Sequence, residues 1–217
     1  MTLINHHMLM RLFVIIVLLF HIPGALAESY DDVLNAVKQN DLSAAEALFV
    51  RGIDVNTSDP EGHTLLMIAV KEGHLEMAEL LLRRQAKVGA RNRYGETALM
   101  LAAAGGSLEI VQLLVTHGAQ INVKGWNPLI YAAWRGQTDM VKFLLDKGAD
   151  IDAVSPSGVS ALMMAARYGQ FETVKLLLWE VANPNIRSDS GDTALGWALK
   201  SGNTDIAELL KQAGAKK

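Results

Sequence analysis

Apolar residues recur along this chain in short bursts at helical spacing. Leu108, Val111, Leu113 and Leu114 form one burst, and Met140, Val141, Leu144 and Leu145 form another. Spacings of three and four place each set on one face of a helix, turned toward a neighbour. Each burst follows a segment that is apolar almost throughout, such as Ala98 to Ala103, and the two are joined through Gly73, Gly106, Gly136 or Gly169. The pattern therefore predicts pairs of short helices. These pairs keep a period: Thr64, Thr97, Asn127, Ser160 and Thr193 stand 33, 30, 33 and 33 residues apart. A fixed period of this length specifies a stack of like units rather than one globular core. One unit cannot bury its apolar face alone, so neighbours complete the core and leave an extended surface, not a catalytic pocket.

The stretches Thr97-Ala-Leu-Met-Leu-Ala-Ala103, Asn127-Pro-Leu-Ile-Tyr-Ala-Ala133 and Ser160-Ala-Leu-Met-Met-Ala-Ala166 resemble the T-P-L-H-x-A-A signature of ankyrin repeats. Gly118-Ala119 and Gly148-Ala149 match the Gly-Ala that closes the family's second helix. The resemblance implies an all-α solenoid of six helix-turn-helix units with short projecting turns. The units fall at about 30–56, 57–89, 90–119, 120–152, 153–185 and 186–217, within a domain of 28–217. The first and last read as caps, because end repeats need one solvated face.

The copies depart from the signature in a regular way. Pro appears only at Pro128, and the family's His is replaced by Met67, Met100, Ile130, Met163 and Gly196. The replacements are expected to remove the side-chain brace of the adjoining turn. Gln85 and Val181 stand where Gly118 and Gly148 close the other helices. A β-branched residue resists positive φ, so Val181 is expected to alter its helix end and the neighbouring Trp179. Ala119 to Gly125 spans six positions where the other units span nine, so the turn between units three and four is three residues short.

Residues 1–27 stand outside the repeats. Arg11 precedes the apolar run 12–20, Pro23-Gly24 is expected to break any helix, and Ala25-Leu-Ala27 ends on small residues. This is the arrangement of a secretory signal peptide cleaved between Ala27 and Glu28. The expected location is outside the cytoplasm: periplasmic in a Gram-negative bacterium, otherwise secreted, with no stable membrane span after cleavage. Removing Arg11 leaves 19 basic and 23 acidic groups, a net charge of −4. That balance argues against nucleic-acid binding, which depends on neutralising phosphates. The chain has no cysteine, which excludes thiolate zinc sites, cysteine nucleophiles and a lipoprotein anchor.

No enzyme constellation emerges, and no cofactor or metal is expected. His63, His74 and His117, the histidines after residue 27, show no metal-ligand pairing on one helix. Gly105-Gly106 lacks the lysine and spacing of a phosphate loop. Paired Asp31-Asp32 reads as a helix start, where the dipole favours acids.

The informative residues are those the repeat does not require. In ankyrin-like stacks, the two positions after Ala-Ala and those flanking the turn glycine line the concave face. Here they bring Arg93, Tyr94, Trp126, Trp134, Arg135, Arg167 and Tyr168 to units three to five. Trp, Tyr and Arg dominate binding hot spots. The expectation is a protein-interaction module, an adaptor or partner-stabilising protein whose partner is another protein, such as an envelope enzyme. The rival is a peptide or small-ligand receptor using the Trp126 and Trp134 region. Tyr131 and Trp197 replace Leu101 and Met164 within the first helices and are expected in the core, whereas Trp179 is expected on the opposite surface.

Overall fold

The structure, a computed structural model, describes residues 22–216; the apolar run 12–20 lies outside them. Twelve helices follow one another: α1 Ile22–Lys38, α2 Leu42–Val50, α3 Leu65–Lys71, α4 Leu75–Arg83, α5 Ala98–Gly105, α6 Leu108–Thr116, α7 Pro128–Arg135, α8 Thr138–Asp146, α9 Ala161–Arg167, α10 Phe171–Trp179, α11 Ala194–Lys200 and α12 Thr204–Gln212. Among the described residues there is no strand, only isolated bridges joining Ser58 to Thr64 and Val154 to Ser160. Odd-numbered helices pack in an inner row and even-numbered helices in an outer row.

The period of Thr, Asn and Ser has a simple cause. Each of these residues is an N-cap, its side-chain oxygen accepting the backbone N–H three residues on: Met67 at 3.3 Å, Met100 at 3.4 Å, Ile130 at 3.0 Å, Met163 at 3.3 Å and Gly196 at 3.2 Å. Such a cap satisfies one orphan donor of a seven- or eight-residue helix that has few bonds of its own. At Met100 the expected loss of bracing is partly made good, because its Sδ accepts the N–H of Thr97 at 3.4 Å and closes a capping box. Inner helices are buried on nearly all sides: every residue from Leu65 to Val70 and from Ala161 to Ala166 is buried.

Units are also tied by polar contacts at a separation near one period. Asn56, Asp152 and Asn185 accept the backbone N–H of Lys87, Asn183 and Lys216 at 2.9, 2.9 and 2.7 Å. The residue preceding an outer helix reaches back to the end of the previous inner helix. His74 Nε2 meets the Lys38 carbonyl at 3.0 Å, Gln170 Nε2 donates to that of Trp134 at 3.2 Å, and Asn203 Nδ2 donates to that of Ala166 at 2.8 Å. His74 is thereby a structural residue.

Three expectations need correction. Pro23 and Gly24 do not break the helix; Pro23 occupies the first turn of α1, where its missing N–H costs nothing. Asp31 and Asp32 accordingly lie well inside α1 and not at its start. Val181 does not alter its helix end either. It takes φ 66° itself, as Gln85 takes 65°, and α10 ends at Trp179 like the other outer helices. Nine residues of helix and the contacts of Leu177 with the core outweigh the strain of one left-handed residue. The strain persists, since the left-handed region costs an L-residue about 1–2 kcal/mol. Val181 is 81% exposed, so it returns little by packing. Val181→Gly is expected to stabilise the fold by about 1 kcal/mol after the entropy of glycine is deducted. Calorimetry is expected to show a melting temperature higher by roughly 2–4 °C; an unchanged or lower value would mean that Val181 is unstrained.

Candidate functional site

The projecting turns are built alike in four units. Each has two short backbone bonds: Asp59 with His63 and Gly62, Asn92 with Glu96 and Gly95, Ser155 with Val159 and Gly158, Ser188 with Asp192 and Gly191. Adjacent tips are laced together, Arg93 N donating to Glu61 O at 3.1 Å and Asp189 N to Ser157 O at 3.0 Å. The shortened turn between Ala119 and Gly125 has no such pair and no such lacing among the described residues. At the same joint, inner helices α5 and α7 pack more extensively than other neighbouring inner helices. The row of turns is thus interrupted at unit four, and the gap lies beside Trp126.

A continuous aromatic strip starts beside this gap. Trp126 meets Tyr131, Tyr131 meets Trp134 and Trp134 meets Tyr168, edge to face, with centroids 6.1, 6.1 and 6.0 Å apart. Such contacts contribute about 0.5–1.5 kcal/mol each beyond burial, so the strip is a preset surface rather than a set of free side chains. Its polar anchor is Tyr131, whose hydroxyl donates to Glu96 Oε1 at 2.8 Å; Asn92 Nδ2 holds the other carboxylate oxygen at 2.7 Å. Burial pushes the Tyr131 phenol far above its ordinary value, and the Glu96 carboxylate adds to the rise. It remains a neutral donor at any ordinary pH.

Three hollows adjoin along the strip. The first, about 210 Å³, lies among Trp126, Ile130, Tyr131, Trp134, Met164 and Tyr168. The second, about 450 Å³, shares Trp126, Met164 and Tyr168 with it. The third, about 440 Å³, shares Arg167, Ser190 and Trp197 with the second and ends at Lys200. Together they make one trough across units four to six, aromatic at one end and polar at the other.

Cationic groups border the trough. The Arg135 guanidinium lies 5.7 Å from the Trp134 ring centroid, and Arg167 lies 5.8 Å from Tyr168 and 5.0 Å from Trp197. Among the described residues, neither Arg135, Arg167 nor Arg93 has a carboxylate partner, whereas Lys200 Nζ sits 2.7 Å from Asp192 Oδ1. Hydrogen bonds from Lys200 and Trp197 hold the Asp192 carboxyl below its ordinary value. The charge of Lys200 is therefore matched within the fold, and that of the arginines is not.

The sequence-derived residues are brought together only in part. Trp126, Trp134, Arg167 and Tyr168 line the trough, and Arg135 borders it over the Trp134 ring. Arg93 and Tyr94 sit on the tip of turn three, and Tyr94, 71% exposed, joins no ring contact. Tyr131 and Trp197 are not core residues. Both are half-buried and line the trough, because this position of an inner helix borders the concave surface rather than the interior of the stack. The aligned Leu101 is itself half-buried, a sign that this position borders the surface. Trp179 is 82% exposed and lies at the end of outer helix α10, away from the trough.

One group of potential ligand atoms was not apparent from helical spacing. Asp59, Glu61 and His63 gather on turn two with ligand atoms within 4.8 Å of one another. His63 Nδ1 already meets Asp59 Oδ2 at 3.0 Å, and Asp59 Oδ1 accepts the backbone N–H of His63 at 2.8 Å. Burial works to raise the Asp59 pKa, yet the bonds from His63 outweigh it and the carboxyl sits below its ordinary value. These bonds explain the grouping as turn architecture.

Capped inner helices, outer helices in register and laced turns define an all-α repeat solenoid with a preset surface on its inner side. The family of ankyrin repeats, in a form described as three copies, matches residues 33–124, 82–155 and 129–217. The chain belongs to the ankyrin repeat family, whose repeats mediate protein–protein interaction. Among solved structures, the crystal structure of the human ASB11 ankyrin repeat domain superposes with a TM-score of 0.77 at 28% identity, over 85% of this chain and 84% of that one. No curated protein matches the chain. None of its described helices is long and apolar enough to cross a membrane.

Proposed function

We propose that this chain is an exported interaction module, an adaptor or partner-stabilising protein that holds another protein against its inner, concave face. The observation that carries the reading is the aromatic strip from Trp126 to Tyr168, bordered by Arg135 and Arg167. A soluble chain gains nothing in stability by leaving Trp126 and Tyr168 38% and 49% exposed in a row; a docking surface does. Trp, Tyr and Arg bury large area on association and keep directed polar contacts. The residue types of units three to five suggest this face, and the trough that runs from unit four to Trp197 of unit six supports it. The ankyrin repeat fold is typically a non-catalytic interaction module.

Export rests on the sequence of the leader. The chain recovered from its native cell is expected to begin at Glu28 by intact-mass measurement; a full-length product anchored in the membrane would overturn that part. Capture of partners from the same compartment, with Trp134→Ala and Trp179→Ala in parallel, tests the rest. Loss of the partner with the first variant only is the expected result.

A further inference from the structure

The geometry points to the chemistry of the partner: an extended, acidic peptide segment carrying one large apolar side chain between two carboxylates about three residues apart. This rests on the reading that the trough is the docking surface. Three observations carry it. First, Arg135 and Arg167 have no carboxylate partner among the described residues, in a chain whose net charge is −3. Unmatched cations grouped on one face of an acidic protein set up a local field that favours acidic partners and rejects basic ones. Both guanidiniums lie over aromatic rings, so less side-chain freedom remains to be lost when they bind a carboxylate.

Second, the first hollow is lined by Trp134 and Tyr168, the rings over which Arg135 and Arg167 lie. At about 210 Å³ it falls below the roughly 300–1,000 Å³ of small-molecule sites and suits a single anchoring side chain. A cationic group entering it meets Arg135 and Arg167 at the very rings it needs.

Third, the trough runs lengthwise from unit four to unit six, a shape that an extended chain follows and a folded domain does not. Arg135 and Arg167 end the packed helices α7 and α9, whose axes are about 8–10 Å apart by ordinary helix packing. An extended chain of polyproline-II type advances about 3.1 Å per residue with three residues per turn, so residues three apart face the same side. The two carboxylates that meet these arginines are therefore about three residues apart, with the anchor between them.

The test is selection of a displayed library of random twelve-residue peptides on the chain 28–217, followed by titration of the enriched peptides as fluorescein conjugates. Enrichment of Asp or Glu bracketing a Leu, Phe or Trp is expected. The best peptide is expected to weaken at least tenfold when its acids become amides, and at least tenfold against Arg135→Gln or Arg167→Gln, with the amide peptide indifferent to those variants. Basic or uncharged winners that still require Trp134 would overturn the acidic chemistry and leave the trough as the docking surface. Winners that bind Trp134→Ala equally well would overturn both. Failure to enrich any peptide would overturn the extended-segment proposal alone, since capture of a folded partner remains an independent measurement.

Discussion

Trp134→Ala is expected to weaken the partner complex by roughly thirtyfold or more, the consequence of losing about 2 kcal/mol at a central, desolvated hot spot. Trp134 is the middle of the strip: it contacts Tyr131 and Tyr168 edge to face and supports Arg135. Removing it takes away its own area and frees its three neighbours, so binding falls through both contact and pre-organisation. The same contacts imply a cost in the free protein of about 1–2 kcal/mol, from edge contacts of about 0.5–1.5 kcal/mol each. Melting and helical circular dichroism must therefore accompany the binding measurement. Trp179→Ala is the control, because a ring 82% exposed at the end of α10 has little to lose. Full affinity in Trp134→Ala together with loss in Trp179→Ala would move the docking surface to the outer helices.

Ending the chain at Asn185 is expected to lower the melting temperature by about 10 °C or more and to reduce solubility. The deletion removes α11 and α12, whose Leu195, Ile206 and Leu210 are buried against unit five. At about 2 kcal/mol for each large side chain, some 6 kcal/mol of burial is lost, and roughly 2–4 °C accompanies each kcal/mol in a domain of this size. It also uncovers Leu162 and Leu177 of unit five, which no polar face then shields. A truncated chain as stable and soluble as the whole would show that unit six is not a cap. The same truncation removes Trp197 from the trough and leaves the first hollow intact, so its binding defect is expected to be smaller than that of Trp134→Ala.

The fold was legible in the sequence because its determinants are local and repeated. Period, N-cap and apolar spacing are each contained within about 33 residues, and every copy restates them. Thr64, Thr97, Asn127, Ser160 and Thr193 mark helix starts whatever surrounds them, since a cap bond reaches only three residues. The exposed residues after each Ala-Ala pair were legible for the same reason. Two things were decided only by the stack. Val181 was expected to disturb its helix, but packing of the whole of α10 onto its neighbours holds one strained residue at positive φ. Tyr131 and Trp197 were expected in the core, and how far such a side chain is covered depends on the neighbours that the stack brings against it: the aligned Met164 is buried, whereas Leu101 is half-buried. Tyr131 stands half-open between Trp126 and Trp134 and binds Glu96, 35 residues away. The sequence by itself determined the units and their order, because those follow from short-range spacing; the trough was decided by the tertiary structure, because its walls come from three units whose side chains meet only when the stack closes.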